Sequence, residues 1–137
     1  MIMVLMGGSY DDREAVIRDL MQLYKGRIQC VNVANIPSPE ARVERLQLEI
    51  KPNRPFRVIT VVNNPGSVEE VNELRRVGAC FAHVYGTLFS IYDHVTVERH
   101  DVQIATIPHR RALPSHVLTP EEAVSEFMLR GRPGQVA

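Results

Sequence analysis

A chain of 137 residues fits one domain and is long enough to bury a core without disulfides or a metal. Its 45% hydrophobic and 23% charged content is that of an ordinary globular protein, which argues against a disordered or membrane-spanning chain. Sixteen Lys and Arg balance sixteen Asp and Glu, so no global field draws it to nucleic acid or to an anionic membrane.

Ile2 to Met6 reads as a first strand, continuously apolar and therefore central and parallel. Met1 to Met6 has no basic leader and is too short for a signal peptide, so we expect a cytoplasmic protein. Gly7-Gly8-Ser9-Tyr10-Asp11-Asp12-Arg13 turns into a helix at about Asp12, with Val16, Ile17, Leu20, Leu23 and Tyr24 on its buried side. Gly26 ends that helix, and Ile28 to Val33 makes a second strand. Ser38-Pro39-Glu40 supplies a cap, a proline at the first helical position and an early carboxylate, starting a helix that runs to about Ile50. Lys51-Pro52-Asn53-Arg54-Pro55 breaks it.

Val58 to Val62 is a β-branched run that reads as a strand buried on both faces. An Asn-Asn-Pro-Gly turn follows. Ser67 then caps a helix in which Glu70 reaches back and Val68, Val71 and Leu74 form one stripe, ending at Gly78. Ala79 to Tyr85 gives a fourth strand. From Gly86 to Asp93 there is no clear period, and a short helical turn and a loop are both open. Val95 to Glu98 and Val102 to Ile107 are strand-like, as two strands or as a hairpin. Pro108 to His116 reads as a loop, and Thr119-Pro120-Glu121-Glu122 starts a last helix with Ala123, Val124 and Phe127 inward. Cys30 and Cys80, both inside strands, read as small apolar fillers. This alternation predicts one α/β domain over residues 1–130, a three-layer build with a mostly parallel sheet of about five strands and helices on both faces. Residues 131–137 are expected to form a mobile tail.

The unit from Val58 to Gly78 resembles a segment of the phage-type deoxynucleoside monophosphate kinases, members of the P-loop nucleotide kinase group. In that family a strand ending in Asp-Val-Arg-Phe-Pro leads into a Glu-rich helix that closes on glycine. Here Val58-Ile59-Thr60-Val61-Val62-Asn63-Asn64-Pro65 leads into Val68 to Gly78. The likeness extends loosely over residues 1–107 and implies a P-loop kinase-like fold, with the Gly7-Gly8 turn in the phosphate-binding place. Chains of this kind are commonly carried by phages and mobile elements.

The departures bear on activity. A working P-loop reads G-x-x-x-x-G-K-[ST], whose amides and Lys hold the phosphates. Gly7 to Asp12 has no such motif, and the only lysines, Lys25 and Lys51, fall at the far ends of the first two helices. Asp11 and Asp12 put negative charge where polyphosphate would sit, while the family's Asp and Arg align with Val61 and Asn63. Each lost group is worth several kcal/mol of transition-state stabilisation. Kinase activity is therefore not expected.

Gly7, Gly8, Ser9, Tyr10 and Arg13 stand where an open α/β sheet binds ligands, with Asn63 and Asn64 on the neighbouring strand end. The reading that needs no ligand, a tight turn, a helix cap and turn formers, comes first for these residues. His109, Arg110 and Arg111, with His116 and Arg132, make the best basic cluster. His83 reads as a core or edge residue, and His94, His100 and Asp101 lack the spacing of a metal site, so we expect neither metal nor cofactor. The first expectation is a non-catalytic protein that binds a protein partner or itself as a homodimer, using apolar surface on Leu88 to Tyr92. One alternative is a nucleotide or phosphometabolite binder or enzyme using the Gly7–Arg13 turn as an anion nest. Another is a small nucleic-acid-associated protein using Arg110 and Arg111. No membrane partner is expected.

Overall fold

The computed structural model describes residues 1–33, 36–50, 58–86, 90–106 and 114–130. Six strands form one parallel sheet in the order β2-β3-β1-β4-β5-β6: β1 (Ile2–Met6), β2 (Ile28–Val31), β3 (Ile59–Asn63), β4 (Cys80–Val84), β5 (Val102–Ile104) and β6 (Val117–Leu118). Every neighbouring pair is parallel. Among the described residues the helices are α1 (Tyr10–Leu23), α2 (Pro39–Glu49), α3 (Val68–Arg76) and α4 (Pro120–Arg130). The order differs from the dinucleotide-binding 3-2-1-4-5-6 and the flavodoxin-like 2-1-3-4-5 arrangements.

Alternation along β1 separates two cores. Met3 and Leu5 meet Val16, Ile17 and Leu20 of α1 and Ala123, Val124 and Phe127 of α4. Val4 and Met6 face Leu46 of α2, Val71 and Leu74 of α3, and Phe81. The protein is thus three-layered, α1 packing beside α4 on one face and α2 beside α3 on the other. Met3 to Met6 are all fully buried, as their unbroken apolar run requires.

Several boundaries differ from the sequence reading. The sheet has six strands rather than about five, because Val117–Leu118 adds a two-residue edge after a stretch that reads as loop. Residues 95–98 carry no strand, and residues 90–93 form a 3-10 turn. β2 stops at Val31, and β3 starts one residue later and ends one residue later than its apolar run. Ser9, not a residue near Asp12, sets the start of α1. Leu23 is 47% exposed, because the last turn of α1 passes the rim of the core. Cys30 is exposed on the edge strand β2, so it is no core filler, whereas Cys80 packs against the first core. Ile91 and Tyr92 pack against the second core instead of presenting apolar surface. Leu88, Phe89, Ile107 and the 131–137 tail lie outside the described residues.

The cap of α3 does more than start a helix. Glu70, fully buried, accepts from the Gly66 amide at 3.1 Å, the Ser67 hydroxyl at 2.9 Å and the Arg42 guanidinium at 3.1 Å, so it ties α2 to α3. Its side chain reaches back to Gly66, one residue before the cap, rather than to the amide of Ser67. Arg42 also donates to the carbonyls of Ile36 and Pro37. Breaking such a pair leaves a buried carboxylate without its counter-charge. Arg42→Ala is expected to lower unfolding free energy by about 3 kcal/mol in urea titration, and a loss within the scatter of surface substitutions would contradict this role.

Candidate functional site

The end of β1 and the end of β4 meet at a turn that only glycine can form. Gly7 (φ 79°) and Gly8 (φ 62°) are left-handed. A Cβ on Gly8 would stand 2.8 Å from Val84 Cγ1 and 3.1 Å from Asp12 Cβ, and one on Gly7 would stand 3.0 Å from the Val84 carbonyl. From the other side, a Cβ on Gly86 would lie 3.4 Å from both Gly8 Cα and Asp12 Oδ2. The backbones at the two strand ends therefore run close to each other, with little room for a side chain at Gly8.

Several of the turn's polar groups are occupied from within. Ser9 caps α1 by accepting from the Asp12 amide at 3.1 Å, and the Asp12 carboxylate accepts from the Ser9 amide at 3.0 Å, a reciprocal capping box. Arg13 is buried and donates to the carbonyls of Gly7 at 3.0 Å and Gly8 at 3.2 Å. Burial pulls its pKa down, against the opposing pull of Tyr92 and Asp12. A phosphate-binding turn offers amides and a cation to an incoming anion. Here the Ser9 amide already faces a carboxylate, and the nearest cation is turned onto carbonyls.

Tyr10 is 63% exposed on the first turn of α1, and Tyr85 is 45% exposed after β4. On the other flank of β1, Asn64 is left-handed (φ 54°) and donates its amide to the Leu5 carbonyl at 2.8 Å, a turn former. Asn63 is instead the last residue of β3, paired with Leu5 and buried on the face carrying α1. Its Oδ1 accepts no hydrogen bond among the described residues. His116 is exposed and bonds Gln103 through Nε2 at 3.1 Å, away from the turn. His109, Arg110, Arg111 and Arg132 lie outside the described residues.

The sequence reading missed a polar ladder below the turn. Arg75 forks onto Asp101 with both bonds at 2.6 Å, the Asp101 carboxylate bonds His83 Nε2 at 2.7 Å and the Glu98 amide at 3.0 Å, and His83 Nδ1 bonds the Tyr92 hydroxyl at 2.7 Å. Burial alone would raise the Asp101 pKa, but Arg75, His83 and the Glu98 amide outweigh it and hold the group well below the usual carboxylate range. With Asp101 ionised, the bonding pattern puts the His83 proton on Nε2 and leaves Nδ1 to accept from Tyr92. Burial, helped by nearby Asp101, pushes the Tyr92 hydroxyl up to about 12, so it remains a donor. Its oxygen lies beneath the turn, 3.1 Å from where a Cβ on Gly7 would stand. Residues 26 positions apart, such as Arg75 and Asp101, leave no periodic signal. Of its four members only Tyr92 falls in the stretch from Gly86 to Asp93 that has no clear apolar period.

All four side chains are used in holding one another, so the ladder fastens the β4–β5 connection over the sheet and offers no free base. No group of three or more His, Cys, Asp or Glu side chains able to hold a metal occurs among the described residues. No helix among the described residues is long and apolar enough to cross a membrane. No family model, curated protein or solved structure matches the chain.

Tyr92→Phe should cost about 1–2 kcal/mol at neutral pH, because buried His83 Nδ1 loses its donor. The folded-state pKa of Tyr92, about 12, lies above the ordinary value of 10.0, so its contribution is complete below pH 10 and lost as pH rises through 12. The stability difference between wild type and Tyr92→Phe, followed by denaturant titration, should therefore narrow over that window. A difference that stays constant would contradict the ladder.

Proposed function

We propose that this chain is a P-loop kinase-like α/β protein that has no phosphoryl-transfer activity and acts by binding a protein partner or a second copy of itself. One observation carries the proposal: the place where an open α/β sheet binds its ligand is filled by the chain's own side chains. The Asp12 carboxylate sits on the Ser9 amide, Arg13 is committed to the Gly7 and Gly8 carbonyls, and Gly86 runs beside Gly8 and Asp12. The kinase-like build is supported by a central β1 with a glycine turn leading into α1, set in a parallel sheet with strands on both sides.

Binding is favoured over catalysis by what remains at that edge. Tyr10 and Tyr85 flank the closed turn with exposed rings, and such rings, apolar with one polar tip, supply much of the energy of protein interfaces. The same closure counts against the anion-nest alternative, because an entering phosphate would have to displace Asp12 and meet its charge. Nucleic-acid binding through Arg110 and Arg111 rests on residues outside the described ones.

Two measurements test the proposal. Magnesium with a nucleoside triphosphate should leave the melting temperature unchanged, and a rise of several degrees, or turnover of the triphosphate, would overturn it. Sedimentation over a wide concentration range should show self-association that is lost in a Tyr10→Asp, Tyr85→Asp double variant. A chain that stays monomeric throughout would remove self-association from the proposal.

A further inference from the structure

A second site lies at the opposite end of the sheet. A cleft of about 580 Å³ opens at the amino ends of the strands, where Ile2 begins β1, Gly78 and Ala79 lead into β4, and Asp101 leads into β5. Its volume falls within the roughly 300–1,000 Å³ usual for small-molecule sites. Ile2, Ala79 and Met128 give it an apolar lining, backed by the buried rings of Phe81 and Phe127.

Two guanidiniums border that lining, each over a phenyl ring. Arg75 lies 3.7 Å from the centre of the Phe81 ring and Arg130 lies 5.5 Å from that of Phe127. Their side chains are 22% and 29% exposed. Asp101 is 2% exposed and already receives Arg75, His83 and the Glu98 amide, so its charge is countered within the protein. Arg130 donates through Nη1 to the His100 carbonyl at 2.6 Å and through Nη2 to Glu126 at 3.3 Å. A guanidinium has five N–H donors in all, so further donors remain for a planar anion. Burial pushes the Cys80 thiol on the cleft wall up, and of the charges acting on it Arg130 and the Met1 ammonium oppose Asp101. Glu126 also lines the cleft and the carboxyl end of α3 borders it, and these negative charges oppose a dianion such as phosphate more strongly than a monoanion.

We propose that this cleft is a binding site for a small monocarboxylate with an apolar body, its carboxylate held by Arg130 and its body lying over Ile2, Ala79 and Met128. The apolar body accounts for the lining, and the planar carboxylate accounts for a fork-shaped donor at its border.

The test is titration of the 137-residue chain with 4-phenylbutyrate and with its neutral amide, followed by nuclear magnetic resonance. The acid should shift the Ala79 and Met128 signals saturably and bind about tenfold more tightly than the amide, the scale of one charge-assisted hydrogen bond. Arg130→Gln should bring the acid down to the affinity of the amide and leave the amide unchanged. Ala79→Leu, which fills the cleft without touching a charge, should abolish both. Absence of saturable shifts, equal affinity for acid and amide in the wild type, or unchanged acid binding in Arg130→Gln would overturn the proposal.

Discussion

The absence of a side chain between the end of β1 and the end of β4 is the constraint on which this molecule depends. Gly8 and Gly86 bring two backbones together, and Val84 and Asp12 occupy the space that a Cβ at Gly8 would need. Once the strands close there, Asp12 can reach the Ser9 amide and Arg13 can reach the carbonyls of the turn. The crevice at the carboxyl end of a parallel sheet, ordinarily the place for a ligand, becomes part of the fold's own hydrogen bonding.

Beneath that closure the second face of the sheet is finished unevenly. α2 and α3 cover Val4, Met6 and Val62, but beyond β1 the cover passes to the segment around Ile91, Tyr92 and Val95, which includes only a 3-10 turn. Such a segment lacks the internal bonding of a helix, and the Arg75–Asp101–His83–Tyr92 ladder supplies the missing restraint. Because each member is satisfied by the next, loss of one leaves a buried polar group behind. The ladder links the turn at one end of the sheet with the rim of the cleft at the other.

Much of the architecture was legible in the sequence because local signals agreed with the global arrangement. Ser38-Pro39-Glu40 and Thr119-Pro120-Glu121-Glu122 announce α2 and α4 through cap chemistry that acts within one turn, and the structure places both caps there. The unbroken run Ile2–Met6 required cover on both faces. The short elements were less legible. A two-residue strand such as β6 carries no period of its own and exists because β5 offers it a partner. Val95 to Glu98 has strand-like composition without a strand, since Val95 is drawn to the helix side of the sheet. The candidate turn was found from its glycines, but its occupancy was not, because Arg13 aimed outward and Arg13 aimed back at Gly7 have the same sequence. The ladder was hidden for a related reason: its bonds join residues that tertiary contact alone brings together.

The most direct measurement of the central claim is the Ser9 amide signal followed during addition of inorganic pyrophosphate. If Asp12 fills the turn, the signal keeps its position at all concentrations. A saturable displacement of that amide, matched by Gly7 and Gly8, would show an open anion site and contradict the account.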